Sequence, residues 1–158
     1  MSTAETRQAT RAPVGRRDEY GYFIPITTRW HDNDIYGHIN NVTYYSYFDS
    51  VANHFLIHEG ALDIHDGAVI GMVVSSGCNY HAALAYPDRL EGALRVNRLG
   101  NSSVEYGVAV FREGEATAAA EGHFTHVFVD RGTRRPVGMP EVLRGALGGL
   151  LMGGGEQD

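Results

Sequence analysis

The sequence predicts a single α+β domain, an antiparallel sheet of about five strands packed against one long helix. Three observations carry this. Behind Asn40, apolar residues recur at spacings of three and four, the period of one long amphipathic helix. Further on, runs rich in β-branched and aromatic residues alternate with polar ones and are divided by short turn signals, as in strands joined by hairpins. The chain has 158 residues and no internal repeat, the size of one domain with a proper core.

Residues 1–19 are small, polar and charged without a period (Thr3, Arg7, Arg11, Arg16, Arg17), and a disordered arm is expected there, ahead of a domain over 20–152. Residues 22–30 alternate as a first strand ending in Trp30. The helix spans about 40–58. Asn40 serves as its N-cap, its apolar stripe is Val42, Tyr45, Phe48, Ala52, Phe55 and Leu56, and Gly60 stops it. Residues 60–67 are rich in turn formers, and 69–85 read as a long strand bent near Gly77. Pro87 donates nothing to a ladder and marks a boundary. Strands follow at 89–99, 103–112 and 116–130, turning at Gly100-Asn101 and around Gly114. The last places Phe124, His126 and Phe128 on one face and Val127 and Val129 on the other. Pro140 opens a short helix carrying Val142, Leu143, Leu147, Leu150 and Leu151, and a tail over 153–158 is expected to fray.

Composition excludes several classes. Hydrophobic content of 43% and charged content of 20% are ordinary for a globular protein, and no apolar run approaches the ~20 residues of a membrane span. A net charge of −6 argues against broad binding to nucleic acid or anionic membranes. The single cysteine, Cys78, rules out an internal disulfide and reads as a buried small residue. With no apolar leader in the first residues, a cytoplasmic protein is expected. There is no Gly-rich phosphate loop and no Gly-x-Ser-x-Gly elbow.

The chemistry concentrates between the first strand and the helix, where a polar loop holds His31, Asp32, Asp34, Gly37 and His38. A helix start leaves N–H groups unpaired and partly positive. A carboxylate beside them makes a pair suited to attack on a carbonyl, the N–H groups holding the oxyanion while the acid drives the attack. On residue types alone Asp34 is either a turn former or that acid, and His38 either a loop brace or a group positioning water or substrate. Asp32 reads as structural, accepting from loop amides or pairing with Arg29. Asn40 is a cap first and a ligand contact second; Tyr44 and Tyr45 are core or pocket wall. His31, Asp32, Asp34 and His38 are metal-ligand types but lack a second cluster at defined spacing, so no metal is expected.

Asp34-Ile35-Tyr36-Gly37-His38-Ile39-Asn40-Asn41-Val42-Thr43-Tyr44 resembles the signature loop of the 4-hydroxybenzoyl-CoA thioesterase-like hotdog enzymes, in the branch with Gly-His-(Val/Ile)-Asn-Asn. The likeness continues through Tyr86-Pro87-Asp88-Arg89-Leu90, Arg98-Leu99-Gly100-Asn101-Ser102-Ser103, Asp130 to Val137, and Met139-Pro140, covering roughly residues 22–147. The resemblance implies a hotdog fold, its sheet wrapped around the long helix, and an acyl-CoA thioesterase that releases a carboxylic acid and free CoA. It implies Asp34 as nucleophile or general base, His38 beside it, and the Asn41 backbone N–H on the thioester oxygen. Asn40, Tyr44, Tyr45, Arg98, Asn101 and Ser102 become substrate contacts, the last three toward the nucleotide or pantetheine arm, with Arg134 and Arg135 as further phosphate candidates. It implies no cofactor, since coenzyme A is part of the substrate, and homodimers or homotetramers with sites at the dimer interface. The chain has Ile35-Tyr36 where the 4-hydroxybenzoyl branch tends to have Pro-Ala, which leaves the acyl group open, aromatic or aliphatic. A thioesterase acting on acyl carrier protein and a non-catalytic acyl-CoA-binding module are the alternatives.

Overall fold

The computed structural model describes residues 14–151. Five antiparallel strands form one sheet in the order β1-β3-β4-β5-β2. Their ranges are β1 Tyr22–Thr27, β2 Val69–Tyr80, β3 Arg89–Leu99, β4 Ser103–Arg112 and β5 Ala120–Asp130. Helix α1, Asn41–His58, lies across the face made by β1, β3 and β4, and a short α2, Glu141–Gly148, closes one end. This is the hotdog arrangement, a sheet curled around a central helix. Among the described residues no helix is long and apolar enough to cross a membrane.

The core is the seam between α1 and the sheet. Phe48, Val51 and Leu56 of the helix and Leu94, Tyr106 and Phe128 of the strands have no exposed surface. The buried stripe is Tyr44, Tyr47, Phe48, Val51, Ala52, Phe55 and Leu56, rotated from the expected one, with Val42 65% exposed. The rotation follows from the two tyrosines. The Tyr47 ring buries because its hydroxyl finds a partner, donating to Asp32 at 2.7 Å.

Other expectations are corrected. The first strand ends at Thr27, and Trp30–Asp32 is a single 3₁₀ turn that leaves Trp30 72% exposed. The irregularity in β2 lies between Val73 and Ser75, not at Gly77. Gly77 instead admits the His123 ring, which a Cβ would meet at 2.6 Å. β2 stops at Tyr80, and β5 starts at Ala120, because residues 116–118 pair with the N-terminal segment: Arg17 N–H donates to Ala116 O and Ala118 N–H to Gly15 O. Residues 14–19, expected as the end of the arm, are therefore packed on the sheet. Arg17 binds Glu91 at 2.8 Å and lies over the Phe23 and Phe111 rings. Residues 1–13 and the tail after Leu151 fall outside the described residues. Cys78 is half-buried, and burial pushes its thiol up, so it stays protonated.

Candidate active site

The loop between β1 and α1 is built on Asp32, which is 2% exposed. Its carboxylate accepts from the Arg29 N–H at 2.9 Å, the Arg29 guanidinium at 3.2 Å and the Tyr47 hydroxyl at 2.7 Å. Burial alone raises its pKa, but the Tyr47 and Arg29 contacts outweigh burial and hold it below the usual carboxylate range. Burial, with Asp32 second, holds the Tyr47 hydroxyl protonated. The Asp32 carbonyl takes the Asn40 N–H at 2.8 Å, so the same residue fixes the start of α1.

From this brace the chain makes a tight turn. Asp34 N–H donates to His38 O at 2.9 Å, and Gly37 N–H to Asp34 O at 3.1 Å. Gly37 has φ +81°, which a side chain would strain. One Asp34 oxygen, Oδ1, accepts from Tyr36 N–H at 2.9 Å, the turn-former role; no partner engages Oδ2 among the described residues. The loop is tied sideways by Ile39 N–H to Leu84 O at 2.7 Å and Tyr86 N–H to Asn33 Oδ1 at 2.9 Å.

The turn delivers the head of α1. Asn40 caps it by accepting from Val42 N–H at 3.1 Å, and Thr43 N–H donates to Asn40 O at 2.9 Å. Asn40, Val42 and Thr43 amides are thus all engaged. The Asn41 N–H at the helix head has no acceptor among the described residues. The Asn41 amide is thus an open donor at the start of the helix.

Asp34, His38, Asn41 and Tyr44 line one cleft of about 360 Å³, as the sequence brought them together. Tyr80 and the segment 81–83 complete it. Tyr80, missed in the sequence, donates its hydroxyl to Asn41 O at 2.9 Å and meets the Tyr44 ring edge-on at 5.1 Å. Burial, with Cys78 second, pushes Tyr80 up to about 12, so it remains a donor at neutral pH. Its only sequence signal is an aromatic residue closing a strand; the contact with the helix head spans 39 positions.

Other candidates lie elsewhere. Asn40 is spent on its capping bond, and Tyr45 stacks on Phe124 at 6.4 Å between ring centroids, at the cleft's flank. Arg98, Asn101 and Ser102 sit at the β3–β4 turn, the far end of an 11-residue strand, roughly 30 Å from the loop at ~3.3 Å per residue. There Asn101 O accepts from Arg144 at 2.8 Å, Ser102 O from Phe128 N–H at 2.7 Å, and the Arg98 side chain is exposed. A larger cavity, about 570 Å³, runs along β1 and the start of β3, away from Asp34. Two of its acids, Asp88 and Glu91, are already paired with Arg112 and Arg17. Among the described residues no three His, Cys, Asp or Glu side chains converge as a metal site.

The profile of the thioesterase-like superfamily matches residues 28–147. The PA5185 protein of Pseudomonas aeruginosa is 57% identical over 88% of this chain and 97% of its own, with a TM-score of 0.87. A 1,4-dihydroxy-2-naphthoyl-CoA thioesterase from Synechocystis shares the fold at 16% identity, covering 82% and 96% of the two chains, TM-score 0.73. The Dynemicin thioesterase does so at 20% identity, covering 83% and 97%, TM-score 0.76. No curated protein matches the chain. A profile match over most of the domain, on a hotdog sheet whose cleft joins an acid to an open helix amide, makes the chain a member of the thioesterase-like superfamily, whose chemistry is thioester hydrolysis.

Proposed function

We propose that the protein hydrolyses acyl-CoA thioesters to a carboxylic acid and free CoA in the cleft of Asp34 and Asn41. The observation that carries this reading is the conjunction of a half-buried carboxylate with an unengaged oxygen and an unengaged amide at a helix head, both on one 360 Å³ cleft. The thioester oxygen accepts from Asn41 N–H, and the partial positive charge of the helix start adds to the hold on the oxyanion. Asp34 then acts by one of two routes. As general base it takes a proton from water while the water oxygen bonds to the acyl carbon; the C–S bond breaks, and the thiolate leaves and is protonated. As nucleophile it forms an anhydride with the acyl carbon and expels the thiolate, and water then cleaves the anhydride. Tyr80 and Tyr44 hold the helix head and wall the acyl group.

The phosphates of CoA need arginines, and within one chain Arg98 and Arg135 lie at the wrong end. The register supports a resolution across two copies. Asp34 sits at the Tyr80 end of β2, whereas the β3–β4 and β5 turns sit at the Val69 end, since Val69 faces Asp130 and Ser103 faces Val127. β2 is a free edge with Met72, Val73 and Val74 exposed. Two copies joined antiparallel along β2 bring the partner's Arg98 turn to the Asp34 end.

Release of free thiol from a panel of acyl-CoAs of varied chain length and aromaticity tests the reading. Turnover is expected in the parent and a loss of about 10² to 10⁴ in kcat for Asp34→Asn, the range for a positioned acid–base group. Asparagine keeps the Oδ1 that accepts from Tyr36. CoA binding without turnover in the parent, or an Asp34→Asn variant as active as the parent, overturns it.

A further inference from the structure

One buried polar atom beside the cleft has no hydrogen bond among the described residues: His81 Nε2. An orphaned buried nitrogen demands an account. The group it faces is Glu121, whose Oε2 lies 3.4 Å away. That same oxygen accepts the Gly15 N–H at 2.5 Å. A Cβ on Gly15 would stand 2.6 Å from it, close enough to displace that oxygen. At 3.4 Å the two groups are within ion-pair reach, and the contact falls short of a hydrogen bond.

The main chain joins the same three places. His81 N–H and Ala82 N–H both donate to Ala119 O, at 2.8 and 3.0 Å, and Ala118 N–H donates to Gly15 O at 2.9 Å. Residues 81–83 are the wall of the cleft across from Asp34 and Asn41.

We infer that His81, Glu121 and Gly15 form a latch that positions the 81–83 wall of the cleft, so that the segment before β1 sets the shape of the acyl site. His81 is a positioning residue here. It acts through the wall, with Glu121 as its anchor and the Gly15 amide as the anchor's second hold. The kinetic part of this inference rests on the thioesterase reading; the structural part does not.

The test uses the full chain with Glu121→Ala, His81→Ala, the double variant, Glu121→Gln and Gly15→Ala. Hydrogen exchange at the 81 and 82 amides is expected to speed up by at least about two-fold in each alanine variant, and KM to rise about two- to ten-fold, the range for coupled network residues. kcat is expected to stay within about two-fold, because Asp34 and Asn41 are untouched. The double variant is expected to be no worse than either single one, and Glu121→Gln, which keeps an acceptor oxygen, to restore parental values. Additive effects, no rescue by Gln, a loss confined to kcat, or parental exchange and KM in Glu121→Ala would each overturn the latch. If His81→Ala does not fold, Glu121→Ala against Glu121→Gln decides. A parent without thioester turnover would overturn the proposed function, while the exchange data would still decide the latch.

Discussion

Tyr47→Phe removes one oxygen and tests how the loop is held. Asp32 is buried and keeps three contacts, but the Arg29 side chain is 74% exposed, so its attraction is screened by solvent. The Tyr47 hydroxyl at 2.7 Å is the short, enclosed donor. A hydrogen bond to a charged group is worth about 1.5–3 kcal/mol, so a loss of about 2 kcal/mol is expected at pH 7. The sign of the pH dependence follows from Asp32 being held below the usual carboxylate range. Its contribution is complete above the unfolded-state value near 3.9 and fades as pH falls through the folded value. The gap between parent and variant is therefore expected to shrink under acid. Urea unfolding at pH 7 and pH 3.5 measures both. The Asp32 carbonyl also anchors Asn40, so kcat is expected to fall along with stability. A variant within about 0.5 kcal/mol of the parent, the range of an ordinary surface change, would refute this view of the loop.

Two other changes probe the frame. His126 is 2% exposed beside the Tyr106 hydroxyl at 3.2 Å, and burial pushes it down to about 4, against a smaller upward pull from Asp49. The unfolded chain takes up that proton near pH 6.5 and the folded one does not, so stability is expected to drop by about 3 kcal/mol between pH 6.5 and 4. A slope in that window no steeper than in His126→Gln would contradict it. Gly37→Ala meets no atom within 4 Å, so its effect is purely that of φ +81°. It is expected to destabilise by about 1–2 kcal/mol and to lower kcat, as read by thermal unfolding and thiol release.

Much of this was legible locally. The ends of β3 and β4 fell where the alternation and the Gly100-Asn101 turn put them, and Asn40 was readable as a cap from its position before the apolar run. Asp34, His38, Asn41 and Tyr44 share a cleft because they lie within eleven residues of one turn and one helix start. What escaped was long-range. Tyr47 belongs to the buried stripe because of Asp32, fifteen residues away, and the N-terminal segment is ordered by Glu121 and Ala116, about a hundred positions on. Tyr80 carries little local signal and His81 none, since each takes its meaning from a partner that the sheet brings across. Arg98 was placed by motif alone, and a motif does not say which copy of the chain it serves.

The central claim is that one backbone amide, on Asn41, receives the charge that develops on the thioester oxygen. Asn41→Pro removes that N–H and little else. Position 41 opens the helix, where proline is favoured, and Asn40 before it already has the extended ψ of 134° that proline demands. Paired with Asn41→Ala, which keeps the amide, it separates backbone from side chain. The expected result is a folded Asn41→Pro protein with kcat lowered about 10² to 10³, and an alanine variant close to the parent. A proline variant that turns over thioester like the parent, or an alanine variant as crippled as the proline one, would contradict it.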